Sequence, residues 1–263
     1  MKNLAVFFTI VFILLVGLYF FVLRPEKYSE DDLYDEILHR GKIRVGINTD
    51  SKPFGFYDKD GTVQGFDADL GRYMAQYILS SSERVEFVPV TPANRMMKVS
   101  IGDVDIVIAT MTITPQRSEI IDFSIPYDLA GQALLVKSSS KITSIADLGG
   151  QTVGVIWGTT AEKNMLNLVP DANIIGFKSY HDAYSALKAG RINAITSDDT
   201  ILSRFSLEDK DVKLLPKRYS REPYGMGLRK GKSTEKLREE INSAIKDMKQ
   251  KGVIVRLHKK WFG

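Results

Sequence analysis

Cysteine is absent from the 263-residue chain. Its absence excludes disulfide bonds, thiolate metal and iron–sulfur centres, a cysteine nucleophile and lipid attachment to an N-terminal cysteine. Histidine is nearly as scarce, with three residues, and neither an HExxH pattern nor a histidine cluster occurs. A block of positive charge is also lacking, because the net charge of +4 is spread over the whole length. The sequence therefore predicts no metal, no cofactor and no nucleic-acid partner.

Long hydrophobic runs are limited to one, which excludes a polytopic membrane protein. Residues 4–23 carry no charge and follow Lys2, and roughly 20 apolar residues are needed to cross a bilayer. A positive start before an apolar run is the pattern of an export signal. No small-x-small cleavage site follows, so we interpret residues 1–27 as an uncleaved membrane anchor or as a signal peptide cleaved at a poor site. Both interpretations predict an extracytoplasmic protein, and the anchor would tether it through residues 4–23.

Beyond residue 27 the chain alternates between predicted strands and predicted helices. Short runs rich in Val and Ile predict strands at 43–48, 85–90, 104–109, 133–136, 153–156, 174–177 and 192–196. Helices are predicted at 92–101, 161–168, 181–188 and 233–251, with one more that begins at Asp67 as its N-cap. Strands separated by helices are typical of parallel α/β sheets. Two such runs predict an α/β protein with two lobes.

Helical periodicity marks the apolar face of two of these helices. In the helix after Asp67, and in the last predicted helix, apolar residues recur at the 3.6-residue period. The first face consists of Leu70, Met74, Tyr77 and Ile78, and the second of Leu237, Ile241, Ala244, Ile245 and Met248. We expect both faces to pack into the core.

Polar side chains follow several of the predicted strands, where ligands bind in open α/β sheets. The candidates are Asp50, Lys52, Arg95, Thr110, Thr112 and Arg117 in the first half, and Thr159, Thr160 and Asp198 in the second. Arginine matches a carboxylate with two parallel donors, hydroxyls add hydrogen bonds, and an aspartate accepts from an ammonium group. This set suits a small zwitterion that carries an additional carboxylate. Taken singly, each residue is equally compatible with a helix cap or a solvated surface position.

An ordered series of motifs from about residue 41 to 263 resembles the amino-acid-binding solute receptors of bacterial ABC importers, which have the periplasmic-binding-protein type II fold. Each motif alone is weak, and their common order carries the resemblance. The motifs lie at 46–50, 53–56, 65–70, 109–117, 121–124, 126–127, 131–137, 147–150, 222–225 and 260–262. The resemblance implies a two-lobe clamshell that closes on an amino acid.

The resemblance also implies roles for the candidate residues. Arg117 would clamp the ligand α-carboxylate, with help from Thr112 and the backbone of Thr110, and Asp198 would accept the α-ammonium group. Thr160 and the backbone of Gly158 and Thr159 would close over the ligand from the second lobe. Arg95 resembles the arginine of members that bind acidic side chains, Lys52 stands where glutamate- or glutamine-type members carry a basic residue, and Asp50 ends the first strand.

One departure from the family pattern bears on the ligand. Members that bind basic or aromatic amino acids often carry an aromatic residue after the first-strand aspartate, where this chain has Ser51 and Lys52. A cationic ligand side chain would meet Lys52 and Arg95, and like charges argue against it. We therefore expect L-glutamate or L-aspartate, with L-glutamine as the other possibility.

The family layout predicts lobe 1 at 38–132 plus 227–263, lobe 2 at 138–222, and hinge strands near 133–137 and 222–226. The expected partners are a small-molecule amino acid, an ABC permease and the membrane through the N-terminal segment, and we expect a monomer. A membrane-tethered amino-acid sensor domain is the alternative, followed by a dehydratase-like enzyme on the same fold. Apart from this last alternative, the sequence predicts a binding protein and not an enzyme.

Overall fold

The computed structural model describes residues 32–263 as alternating helices and strands. The helices are α1 (Leu33–Arg40), α2 (Phe66–Leu79), α3 (Arg95–Ser100), α4 (Pro115–Ser118), α5 (Thr160–Leu168), α6 (Tyr180–Lys188), α7 (Asp199–Glu208), α8 (Glu235–Gln250) and α9 (Val253–Phe262). The longer strands are β1 (Ile43–Asn48), β5 (Val85–Val90), β9 (Gln132–Lys137), β10 (Thr152–Ile156), β11 (Asn173–Phe177) and β12 (Ala194–Asp198). The shorter strands are β2 (Asp50–Ser51), β3 (Gly55–Tyr57), β4 (Val63–Gln64), β6 (Ile106–Val107), β7 (Ile121–Phe123), β8 (Asp128–Ala130), β13 (Val212–Leu214), β14 (Glu222–Tyr224) and β15 (Gly227–Arg229).

Two five-stranded sheets with the same internal plan form the two lobes. The first has the strand order β5-β1-β6-β15-β7, and the second has β11-β10-β12-β9-β13. In each sheet the first three strands of that order are parallel, and the fourth strand, β15 or β9, runs antiparallel to both of its neighbours. The predicted α/β architecture is therefore confirmed, and the expected parallel strands are joined in each sheet by an antiparallel strand that was not predicted. In each sheet the antiparallel strand, β15 or β9, comes directly after the segment in which the chain passes from one lobe to the other. No local sequence pattern indicates the direction of that strand.

A two-stranded antiparallel ribbon is formed by the two segments in which the chain passes from one sheet to the other. It pairs β8 with β14, and each of these strands separates an element of one sheet from an element of the other. Segment 133–137, where the first hinge strand is expected, lies within β9, which pairs with β12 on one side and with β13 on the other. The chain passes from the first sheet to the second through β8, Asp128–Ala130, and returns through β14, Glu222–Tyr224, which overlaps the expected hinge at 222–226.

Helices α2, α8 and α9 cover the first sheet through an apolar core. The five residues predicted to face inward from α8 are all buried. In α2 the prediction holds for Leu70, Met74 and Ile78, but Tyr77 is 40% exposed. Helix α9 was not predicted, because Gly252 ends α8 and then begins the next helix as its N-cap.

The start of α2 differs from its prediction. Its N-cap is Gly65, with φ at 127°, a conformation that favours glycine. A Cβ atom here would lie 2.0 Å from the carbonyl oxygen of Phe54, so no larger residue fits. Asp67 is therefore not the N-cap but a buried residue of the first turn.

The predicted membrane segment, residues 4–23, lies outside the described residues. Within residues 32–263, none of the helices has both the length and the apolar character needed to cross a bilayer.

Candidate functional site

The carboxyl ends of the parallel strands of both lobes carry the predicted site residues. Asp50 follows β1, Arg95 begins α3 just after β5, and Thr110 follows β6 in the first lobe. In the second lobe Thr159 follows β10, and Asp198 is the last residue of β12. Because these strand ends share one edge of each sheet, the residues line the cleft where the lobes meet.

The lobes touch each other at Gly158, which has φ at 79°. A Cβ atom there would lie 2.5 Å from the carbonyl oxygen of Pro92 in the first lobe. Only glycine lets the two backbones approach this closely. The structure is therefore a closed arrangement of the lobes.

Arg117 reaches across this cleft from the short helix α4. Thr114 is the N-cap of that helix, and its side chain accepts from the backbone N–H of Arg117. The guanidinium Nη1 donates to the carbonyl of Thr112 at 2.8 Å, and Nη2 donates to the carbonyl of Gly158 at 2.9 Å. Burial, and secondly the positive charge of Arg95, lowers the pKa of Arg117 to about 10. A single anionic group at this position could accept from both Nη1 and Nη2 in place of the two backbone carbonyls.

Arg95 is only 2% exposed, which is unusual for arginine. Its Nη1 donates to the carbonyl of Ala109, and within residues 32–263 its Nε has no hydrogen-bond partner. Burial lowers its pKa, while the negative charge of Asp198 acts in the opposite direction. Arg95 therefore holds the backbone in place at Ala109, and only some of its N–H donors remain available to a ligand.

Asp198 lies in the second lobe and is 7% exposed. The hydroxyl of Tyr224, from the ribbon between the lobes, donates to its Oδ2. Burial raises the pKa of Asp198 to about 7, and the bond from Tyr224 and the charge of Arg95 limit that rise. The charge of Asp198 in turn limits the lowering by burial of the pKa of both Arg95 and Arg117. The structure thus brings the two arginines and this carboxylate into one electrostatic site.

The threonines of the site are bonded to their surroundings. Thr159 is the N-cap of α5 and also donates to the carbonyl of Ile156 at 2.8 Å. Thr160 Oγ1 donates to Oε2 of Glu222 at 2.9 Å, and Thr112, buried, bridges to Tyr224. These contacts order the edge of the cleft around Arg117.

Lys52 lies on the rim and not in the site. Its Nζ is 3.3 Å from Oε1 of Glu208 in the second lobe, and nearly half of its side chain is exposed. The same Nζ is 5.5 Å from the centre of the Phe56 ring. An exposed ion pair contributes only about 0–1 kcal/mol. Lys52 therefore links the rims of the closed lobes, and its charge is already matched by Glu208.

Asp50 forms a second link between the lobes. Its Oδ2 accepts from the backbone N–H of Tyr180 at 2.6 Å, at the start of α6. Burial raises the pKa of Asp50, whereas the N–H groups of Tyr180 and His181 oppose this rise. The carboxylate is therefore held at the contact between the first strand end and the second lobe.

A cavity of about 160 Å³ adjoins Asp50 between the lobes. Asn48, Asp50 and Pro92 line it from the first lobe, and Ile156 and Tyr180 from the second. Asn48 is 3% exposed, and its Nδ2 has no hydrogen-bond partner among residues 32–263. A buried donor without a partner costs about 1–3 kcal/mol, so Asn48 beside this cavity has an unused hydrogen-bond donor.

Arg117 lines a second opening of about 390 Å³. Gly158, Thr160, Lys163 and Asn164 contribute to its walls. The face of the cleft at which Arg117 lies is therefore in contact with solvent even when the lobes are closed.

Several polar residues of the site were not predicted. They are Asn48, Asp67, Tyr180, Glu222 and Tyr224, all buried. Asn48 precedes the predicted strand-end residues directly, so its position was a usable signal. The tyrosines have the pattern of ordinary core residues, and although Tyr224 lies in the 222–225 motif, no local signal indicates that its hydroxyl contacts Asp198. Groups of side chains that could hold a metal ion are absent from residues 32–263.

Residues 43–263 match the bacterial extracellular solute-binding proteins, family 3. The chain belongs to this family. It is 38% identical to the ABC transporter glutamine-binding protein GlnH of Bacillus subtilis (strain 168), over 89% of this chain and 86% of the relative. A glutamine-binding protein of Geobacillus stearothermophilus is 39% identical over 78% of this chain and 79% of its own length.

A solved structure of an ancestral amino acid-binding protein, AncCDT-1, has the same fold. That protein is described as a precursor of cyclohexadienyl dehydratase. It superimposes with a TM-score of 0.80 at 37% identity and covers 88% of this chain and 100% of that chain. These likenesses confirm the family and the two-lobe periplasmic-binding-protein fold that the sequence motifs led us to expect.

Proposed function

We propose that this solute-binding protein captures a free L-amino acid between its lobes and delivers it to the permease of an ABC importer. The observation that carries the proposal is the pair of opposite charges in the closed cleft, Arg117 from the first lobe and Asp198 from the second. In this proposal Arg117 binds the α-carboxylate, and Asp198 accepts the α-ammonium group. Charge-assisted hydrogen bonds are each worth about 1.5–3 kcal/mol, and three or four of them, less the ordering costs, support micromolar binding at about 8 kcal/mol.

L-Glutamine is the amino acid that we propose as the ligand. The two relatives named above are glutamine-binding proteins. The 160 Å³ cavity offers a donor from Asn48 and an acceptor from Asp50, which complement the oxygen and the NH₂ group of a carboxamide. A glutamate side chain would bring a second carboxylate towards Asp50. This replaces the glutamate or aspartate expectation, which rested on Lys52 and Arg95, because the charge of Lys52 is paired with Glu208 on the rim and one donor of Arg95 is taken by the carbonyl of Ala109.

Thermal shift against the twenty L-amino acids tests this proposal. At a hundredfold excess over Kd a ligand adds about 2.7 kcal/mol of stability, which for a chain of this size raises Tm by about 5–10 °C. We expect this shift for glutamine, a smaller one for glutamate and the smallest for arginine. A larger shift with glutamate would return the ligand to the acidic class, and no shift with any amino acid would contradict the proposal.

The variant Asp50→Asn separates glutamine from glutamate more sharply. Removing the carboxylate is expected to improve glutamate binding relative to glutamine by about tenfold, the change that relief of ~1.4 kcal/mol of repulsion gives. Asp60→Asn, in an exposed turn, is the matched control and should leave the ratio unchanged. An unchanged ratio with Asp50→Asn would place the ligand side chain elsewhere.

Catalysis is the less favoured function for this site. The relatives named above are binding proteins, although the precursor relationship of AncCDT-1 indicates that the fold can host a dehydratase. Among the histidines, His258 contacts Asp128 at 3.1 Å and packs against Phe66 in the first lobe. We therefore propose capture and release of the ligand without chemical change.

We also propose that the protein acts outside the cytoplasm, tethered through residues 4–23. The family consists of extracellular solute-binding proteins, and this segment has no charge. The full-length protein is expected to stay with the membrane fraction after a high-salt wash and to enter solution only with detergent. A mature form that begins near residue 25–30 and is recovered without detergent would instead indicate a cleaved signal peptide.

A further inference from the structure

Thr110 has an unusual backbone conformation for its residue type. Its φ is 48°, and within residues 32–263 only one other non-glycine residue, Ser80, has a positive φ. Such a conformation costs an L-residue free energy unless the surroundings hold it in place. Thr110 is 4% exposed, so solvent does not supply the compensating contacts.

The carboxylate of Asp67 supplies these contacts from the first turn of α2. Its Oδ2 accepts from the backbone N–H of Thr110 at 3.1 Å, and its Oδ1 accepts from the hydroxyl of Tyr127 at 3.2 Å. Asp67 is 1% exposed, and burial raises its pKa to about 7. A buried carboxylate is expensive unless its oxygens are hydrogen-bonded. Here the two bonds fix both oxygens.

The segment held in this way leads directly to the carboxylate clamp. Arg95 donates to the carbonyl of Ala109, one residue before Thr110, and Arg117 donates to the carbonyl of Thr112, two residues after it. Asp67 therefore fixes the centre of a short segment whose two ends contact the two arginines of the site.

We infer that Asp67 is a positioning residue for ligand binding, because it holds Thr110 in its left-handed conformation and so sets the backbone that orients Arg117. It does not touch the ligand. The inference rests on the proposed amino-acid site, and the interaction of Asp67 with Thr110 is what it adds.

A double-mutant cycle with glycine at position 110 tests the inference. Glycine adopts a positive φ without strain, so it should make the carboxylate of Asp67 less necessary. We expect Asp67→Ala to weaken glutamine binding by about tenfold, equivalent to ~1.4 kcal/mol, as measured by calorimetry at pH 8. Thr110→Gly alone is the reference for the cycle, and in its background Asp67→Ala should weaken binding by less than about threefold, so that glycine at position 110 restores most of the affinity that Asp67→Ala loses.

Two further variants distinguish positioning from general stability. Asp67→Asn keeps an oxygen acceptor for the Thr110 N–H and should retain most of the affinity. Ser80→Gly relieves the other positive φ, at the end of α2, and should not restore the affinity of Asp67→Ala even if it raises Tm. If Asp67→Ala does not fold, Asp67→Ser takes its place in the same cycle.

The inference is overturned if Thr110→Gly fails to restore affinity, or if Ser80→Gly restores it equally well. It is also overturned if Asp67→Ala, or Asp67→Ser in its place, binds glutamine like the wild type. A wild-type protein that does not bind glutamine would instead count against the proposed ligand, and the cycle is then run with whichever L-amino acid gives the largest thermal shift. If none of the twenty binds, both the proposed function and this inference fail.

Discussion

Replacing Arg117 with alanine is expected to weaken amino-acid binding by at least about a hundredfold, because two charge-assisted hydrogen bonds at about 1.5–3 kcal/mol each are lost. The ligand α-carboxylate would then lack the two parallel N–H donors of the guanidinium group. In the closed structure the two donors of Arg117 hold the carbonyls of Thr112 and Gly158, one in each lobe. The variant therefore loses both the clamp and a contact that joins the lobes. Isothermal titration calorimetry with glutamine measures the effect.

Arg256→Ala is the matched control for this prediction. Arg256 is an exposed residue near the start of α9, where it donates to the carbonyl of Lys251, and its loss should leave affinity unchanged. Arg117→Lys keeps the charge but not the planar fork, so we expect an affinity between those of the wild type and the alanine variant. Wild-type affinity in Arg117→Ala would remove Arg117 from the site.

The parts of the fold that follow from local patterns were predictable. Strand β1 has its predicted bounds, and β5, which contains Pro89, lies at the edge of its sheet, where proline is tolerated. The inward face of α8 follows from its helical period alone. Because strand ends share an edge in α/β sheets, the same patterns were enough to select Arg117 and Asp198 as members of one site.

The remaining features depend on contacts between residues far apart in the sequence. The partner of Lys52 is Glu208, 156 positions away, and no local signal couples them. Asp67 follows a glycine at a helix start, where a capping role is the usual expectation, but its true partner is the N–H of Thr110. Likewise, the direction of β9 depends on where the chain crosses between the lobes. The chemical character of the site could therefore be predicted from its residue types, whereas the partner of each side chain could not.

Replacing Asp198 with asparagine is expected to weaken glutamine binding by about a hundredfold at pH 8, since the charge that faces the ligand ammonium is lost while the shape is kept. The protonation of Asp198 also sets a pH dependence. Its pKa without ligand is about 7, and a bound ammonium group favours the ionised form. Below pH 7 the wild type must therefore release a proton to bind.

Wild-type affinity should accordingly fall by up to about tenfold for each pH unit below 7. Calorimetry detects the accompanying proton release as a binding enthalpy that changes with the ionisation enthalpy of the buffer. Four groups act on Asp198 electrostatically or by hydrogen bonds, namely Arg95, Asp199, Glu222 and Tyr224. All four remain in Asp198→Asn, so this variant should have a nearly flat affinity between pH 5 and 7. Asp171→Asn, an exposed residue of the second lobe, is the control and should keep the wild-type slope.

The stability of the ligand-free protein provides an independent readout of the same carboxyl group. A carboxyl group whose pKa is raised on folding stabilises the folded state at low pH and loses that contribution as pH rises through about 7. Asp198→Asn should therefore raise Tm at pH 8 relative to the wild type, and less so at pH 5, where Asp198 is already protonated. Asp67, with a similar pKa, contributes the same trend in both proteins and cancels in the difference. If Asp198→Asn released as many protons on binding glutamine as the wild type does, this result would show that the ammonium group binds elsewhere.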